Sequence, residues 1–219
     1  MTMETNDLIY SLAADAKPVS RLAQPAMRAL LWFGLSIAYA GIASFFLGFR
    51  ADLDLKLTEP SFLLELAAVA HTSLMAAAAA FCATCPGRPK WERFAPLPFL
   101  ALWLATLGHG CWQDWVQLGP SGLAIHPDLV CLPIILALSI APGVLIFVMI
   151  KRGAPLAPFS TTALGTLAAA SVAAVALRLT HVPDASIMVL VWQFGSVGLL
   201  TALTALFGRR LLRWPNTVS

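Results

Sequence analysis

Leu129-Val130-Cys131-Leu132-Pro133-Ile134-Ile135-Leu136-Ala137-Leu138-Ser139-Ile140-Ala141-Pro142-Gly143-Val144-Leu145-Ile146-Phe147-Val148-Met149-Ile150 carries no charged side chain. At a rise of about 1.5 Å per residue it crosses the roughly 30 Å hydrocarbon core of a bilayer as a single helix. Five further apolar runs share its character, at 27–49, 62–84, 94–110, 159–179 and 187–207, the third being the shortest. Hydrophobic residues make up 59% of the chain and charged ones 11%, too few to clothe the surface of a soluble domain of 219 residues. Mean hydropathy is correspondingly high, at +0.80. The expected fold is all-α: a polytopic membrane protein with six transmembrane helices in one bundle, joined by short loops.

Three segments are thereby defined: a polar N-terminal segment at 1–26, a six-helix transmembrane domain at 27–207, and a basic C-terminal tail at 208–219. Residues 1–26 contain Glu4, Asp7, Asp15 and Lys17 and no apolar core of a signal peptide, so targeting is expected to fall to the first span. Lysines and arginines in short loops are retained on the cytoplasmic side. With both termini inside, eleven of the fourteen basic residues lie on that side, and only Arg50, Lys56 and Arg178 lie on the other. The net charge of +3 then reflects topology. Direct nucleic-acid binding is not expected, and the paired arginines near the C-terminus are read as meeting anionic lipid headgroups. If the membrane is a bacterial inner membrane, the outer side permits disulfides.

Within the N-terminal segment, Leu8, Ile9, Leu12 and Ala13 recur at helical spacing after Thr5. One face of this short helix is apolar, and a helix so short is marginal alone in water. It reads either as a helix awaiting a partner or as one lying on the lipid surface.

Between the third and fourth runs, Gly108-His109-Gly110-Cys111-Trp112-Gln113-Asp114-Trp115 leads through His126 and Asp128 to Cys131. This is the longest polar break in the second half of the chain, and it is expected to face outward. Trp112 and Trp115, taken singly, suit an interfacial aromatic belt. Cys111 and Cys131, at the ends of spans expected to be neighbours, read either as a disulfide pair or as small apolar fillers. His109, Cys111, His126, Cys131 and His181 form the candidate ligand set for a regulatory metal ion, since thiolate and imidazole together suit a borderline ion such as zinc. Their spacing follows no established metal motif, and no other cofactor is expected. Cys82-Ala83-Thr84-Cys85 is a CxxC at the inner end of the second run, without a second CxxC or a βαβ context, and is read as structural. Ionisable groups within spans usually face the bundle interior. Glu65 and His71 therefore offer an alternative reading as a small transporter or metal-handling protein, and Glu65 is placed to pair with Arg178 or to leave Arg178 snorkelling to the interface. An outward-facing CxxC with a cofactor would instead indicate a quinone-linked thiol oxidoreductase. No nucleophile, base and orienting group converge, so an enzyme is not expected.

The order of short elements along the chain resembles the NrsF-type membrane anti-sigma factors. They include Asp7-Leu8-Ile9, Leu12-Ala13-Ala14-Asp15, Pro18-Val19-Ser20-Arg21-Leu22, Arg28-Ala29-Leu30-Leu31-Trp32 and Phe62-Leu63-Leu64-Glu65-Leu66. Pro86-Gly87-Arg88, Gly110-Cys111, Asp114-Trp115, Leu118-Gly119-Pro120, Cys131, Lys151-Arg152-Gly153-Ala154-Pro155, His181, Pro183-Asp184, Trp192 and Gly208-Arg209-Arg210-Leu211-Leu212-Arg213-Trp214 continue the series. The resemblance implies that the N-terminal segment, through Asp7, Leu8, Ile9, Leu12 and Asp15, holds an extracytoplasmic-function sigma factor at the membrane. It further implies release under metal or oxidative stress sensed near Cys111, Cys131, His181 and Asp184. The family pattern places a second cysteine after the histidine between the fifth and sixth spans, where this chain has Val182, so the pairing of Cys131 implied by the family is not available here.

Overall fold

A computed structural model describes residues 5–14, 22–123, 131–154, 157–181 and 186–212. Among these, all regular structure is helical, and six helices are long and apolar enough to cross a membrane: Pro25–Leu47, Pro60–Cys82, Lys90–Leu123, Leu132–Lys151, Pro158–Thr180 and Ser186–Leu206. We call these the first to sixth spans. A separate helix, Thr5–Ala14, precedes them. Proline stands in the first turn of the first, second and fifth spans, at Pro25, Pro60 and Pro158, where its missing N–H costs nothing and its φ is already helical.

The fifth span is the axis of the bundle. It packs on the first, second, fourth and sixth spans, and 83% of its most apolar window is buried. Its sequence explains the position. Thr161, Thr162, Gly165, Ala168, Ala169, Ala170, Ser171, Ala173, Ala174 and Ala176 are all buried, and small side chains let neighbouring backbones approach closely where there is no hydrophobic force between helices in lipid. The first span answers with a stripe at every fourth residue, Arg28, Trp32, Ser36, Ala40 and Ser44, while Leu31, Leu35, Ile42, Phe45 and Phe46 stay exposed for lipid. Buried polar groups tie the spans together. Ser73 Oγ donates to the Ala168 carbonyl (2.8 Å), Trp32 Nε1 to the Pro142 carbonyl (3.0 Å), and Gln193 Nε2 to the Ala174 carbonyl (2.8 Å). Gln193 lies in a π-helical turn, Val189–Phe194, that interrupts the sixth span.

Two sequence expectations are corrected. The third span does not end at Gly110: its α-helix runs Leu97–Leu118. Falling apolarity from His109 onward marks the edge of the hydrocarbon, whereas the helix persists until a residue opposes it, and that residue is Gly119, at φ 63° before Pro120. Nor are the third and fourth spans close neighbours. The third packs chiefly on the second and on the start of the sixth, and the fourth on the fifth, first and sixth.

Candidate functional site

The spans run alternately, so the bundle has two chemically distinct ends. One end, here the near end, holds the start of the first span and the finish of the sixth. The far end holds the loop after the first span and most of the residues singled out in the sequence.

At the far end, Arg178 Nη2 donates to Glu65 Oε2 at 2.9 Å, with side-chain exposures of 9% and 10%. Glu65 sits one turn into the second span and Arg178 near the finish of the fifth, and their pairing realises one of the two alternatives open in the sequence. The Phe62 ring lies 5.2 Å from the guanidinium carbon and covers it from one side. Beside the pair lies a cavity of about 200 Å³, lined by Lys56, Glu59, His109, Gln113 and Asp114 among others. Asp114 Oδ2 accepts from the Ser186 backbone N–H (3.2 Å), fastening the third span to the start of the sixth. Gly110 makes this approach possible, since a Cβ there would stand 2.1 Å from Ser186 Oγ.

A second far-end knot surrounds Arg50, whose side chain is buried. Its Nε and Nη2 donate to Asp52 Oδ1 and Oδ2, both at 2.7 Å. Its Nη1 donates to the His181 carbonyl (3.5 Å), and its backbone N–H to the Leu179 carbonyl (3.1 Å). The Arg50 guanidinium beside Asp52 holds that carboxyl down at about 2. The loop between the first two spans is thus strapped to the end of the fifth, next to His181.

The sequence-selected residues do not form one cluster. Cys111 is a free, half-buried thiol in an apolar groove with Gly108, Trp112, Trp115 and Leu123. It lies on a different face of the third span from His109, Gln113 and Asp114. His109 is exposed, with Nε2 3.2 Å from Gln113 Nε2. Among the described residues, no three His, Cys, Asp or Glu side chains come together as a metal site. Asp15, His126, Asp128, Val182, Asp184 and the side chains of Leu8, Leu12 and Cys131 lie outside the described residues. His71 departs from the expectation for intramembrane ionisable groups: it is exposed, with Nδ1 2.7 Å from the Ala67 carbonyl and its ring stacked on Phe99 at 5.3 Å. Glu65 points into the bundle and His71 away from it, because six residues along a helix carry a side chain well round the axis. The two therefore share no site.

At the near end, Thr5–Ala14 forms the short helix expected from its spacing, and Asp7, Ile9 and Tyr10 are exposed on it, Ile9 at 57% and Tyr10 at 75%. It does not pack extensively on any span. Arg28, in the first turn of the first span, is buried under the Phe81 ring (4.4 Å) and donates to the Met149 carbonyl. Sequence reading missed Arg28, Arg50 and Gln193 as structural centres. A basic residue at the second position of an apolar run was the available signal for Arg28, and a lone glutamine in the last run for Gln193.

A family model described as negative regulator of sigma F matches residues 12–214. No curated protein and no solved structure matches the chain significantly.

Proposed function

The chain belongs to the NrsF family of negative regulators of sigma F, and on that footing we propose that it sequesters an extracytoplasmic-function sigma factor at a bacterial inner membrane through its N-terminal segment. The match begins at residue 12 and so covers the bundle rather than most of the N-terminal helix. The observation that supports the helix as the binding element is its own: Ile9 and Tyr10 are exposed on a short helix that, among the described residues, packs extensively on no span. In water such a helix gains stability chiefly by burying its apolar face on something else, and a sigma factor held by its family is the partner to hand. Asp7 and Asp15 would set orientation by meeting basic residues of the partner. The concentration of basic residues on the near side supports reading that end, and both termini, as cytoplasmic, where a sigma factor resides.

The signal arm of the reading puts release under control of the far end, facing the periplasm, through Cys111, Cys131, His181 and Asp184, with oxidation or a metal ion as the stimulus. Any stimulus must favour the releasing state over the holding one, since equal interaction with both shifts nothing. We read the protein as a regulator and not as a catalyst. The alternative, a transporter working through Glu65 and His71, is weakened by the exposure of His71 on the lipid-facing side.

Capture from native membranes tests the binding arm. Full-length protein should retain a sigma factor, identified by mass spectrometry, and a variant lacking residues 1–24 should lose it. Equal recovery with both proteins removes the N-terminal segment from the interface. An unchanged stress response in the Cys111→Ser, Cys131→Ser double variant removes the thiols from the signal arm.

A further inference from the structure

The CxxC stands apart from the reading above. Cys82 is the last residue of the second span, and the chain turns at once: the Thr84 N–H donates to the Phe81 carbonyl (3.2 Å) and the Cys85 N–H to the Cys82 carbonyl (3.0 Å). A closed turn of this kind brings its first and fourth Cα atoms within about 7 Å, the separation two bridged cysteines require. Both thiols are free and half-buried, and both line one small cavity, of about 50 Å³, shared with Arg88 and Glu92. Arg88 lies within electrostatic reach of both sulfurs and is fixed by Glu92 through two bonds, Nε to Oε2 at 2.7 Å and Nη2 to Oε1 at 2.8 Å.

The turn is also a structural junction. Thr84, between the two cysteines, is buried; its carbonyl accepts from the Ala154 N–H (3.1 Å), and Gly153 approaches so closely that a Cβ there would stand 2.7 Å from the Thr84 side chain. Arg28 covers Phe81, the residue before Cys82. The first, second and fourth spans therefore meet around this turn, at the end where the N-terminal segment enters the bundle.

We infer that Cys82 and Cys85 form a vicinal dithiol site for trivalent arsenic, opposite in the bundle to the cysteines Cys111 and Cys131. Two cysteines on one turn, in one pocket, match the need of arsenic(III) for two or three sulfur ligands and no particular charge balance. With an organoarsenic oxide the reaction is a condensation. Each sulfur forms one As–S bond, the As=O bond is lost, and the oxygen leaves with the two thiol protons as water. Nothing is oxidised or reduced.

Phenylarsine oxide titrated into the purified full-length protein tests this. One equivalent should bind and block two thiols from maleimide; 2,3-dimercaptopropanol should reverse it, and an equal concentration of a monothiol should not. Cys82→Ser and Cys85→Ser should each weaken binding about a hundredfold or more, because each removes the second, intramolecular attachment. Cys111→Ser and Cys131→Ser should bind as the unaltered protein does. Peptide mapping of the unaltered adduct should place the arsenic across Cys82 and Cys85 without recourse to any variant. Retained affinity in Cys82→Ser or Cys85→Ser, or an adduct mapped to Cys111 or Cys131, overturns the assignment.

Discussion

Replacing Glu65 by Ala leaves the Arg178 guanidinium at 9% side-chain exposure without its carboxylate, and the size of the penalty distinguishes two views of the pair. If the contact behaves as an average interhelical hydrogen bond in a bilayer, its loss costs about 0.6 kcal/mol and at most about 1.7. If it behaves as a buried ion pair, removing one partner costs about 3–5 kcal/mol, because a charge is left in place without compensation. The second view fits this geometry. The donor–acceptor distance is 2.9 Å, both side chains are nearly inaccessible, and Phe62 closes over the guanidinium. Proximity to the bundle end gives Arg178 some access to the interface, which puts the expectation at the lower bound: about 3 kcal/mol, or roughly a hundredfold in the folded-to-unfolded ratio at 1.4 kcal/mol per decade. Denaturant unfolding in detergent, followed by tryptophan fluorescence, measures it, with buried Trp32 and Trp103 as reporters. The double variant Glu65→Leu, Arg178→Met should recover most of the loss, since removing both charges of a buried pair is often close to neutral. A cost under about 1 kcal/mol for Glu65→Ala, or a double variant as damaged as the sum of the singles, would refute the reasoning.

Three other outcomes follow from the same geometry. Gly110→Ala should destabilise by about 1–3 kcal/mol through overpacking on Ser186, and Ser186→Gly in the same chain should recover part of that loss in the same unfolding assay. Gln193→Leu should cost about 0.6–1.7 kcal/mol through loss of its bond to the Ala174 carbonyl; a neutral result would show that the π-helical turn is set by packing alone. Asp52 carries a pH signature outside the spans. Its carboxyl, held down at about 2 by Arg50, lies below its unfolded value of about 3.9. Its contribution to stability is therefore full above pH about 3.9 and lost as pH falls through about 2; Asp52→Asn should abolish that dependence, as measured by unfolding from pH 5 to pH 2.

The number of spans and most of their limits were legible because hydrocarbon thickness and hydropathy fix them together. The starts expected at 27, 62 and 159 lie within two residues of the observed ones at Pro25, Pro60 and Pro158. Periodicity also found the helix at Thr5–Ala14, and simple placement admitted the Glu65–Arg178 pair as one of two alternatives, since both residues lie near the same end. What failed had a common cause. Hydropathy reports where lipid ends and says nothing about where a helix ends, so the polar turn from His109 to Leu118 read as a loop. It also says nothing about which spans touch: Cys111 and Cys131 are close in sequence, yet their spans face different neighbours. The alanine and serine of the fifth span were a readable sign of its central place, but a scan for apolar length counts alanine with leucine and so hides the distinction between a helix that packs and one that faces lipid.

That distinction bears on how the protein is made. A helix enters the bilayer on the strength of its leucine, isoleucine, valine and phenylalanine, each worth about −0.3 to −0.6 kcal/mol at the membrane centre, against about +2.5 to +3.5 for an arginine. The fifth span is poor in the former and carries Arg178, and its hydropathy of 1.6 is well below the 2.6 of the fourth. The helix that holds the folded bundle together is accordingly among the least able to stay in lipid by itself. Three of its four partners, the first, second and fourth spans, are synthesised before it, with Glu65 already waiting on the second, so the fifth span is expected to be received by an incomplete bundle rather than by the bilayer.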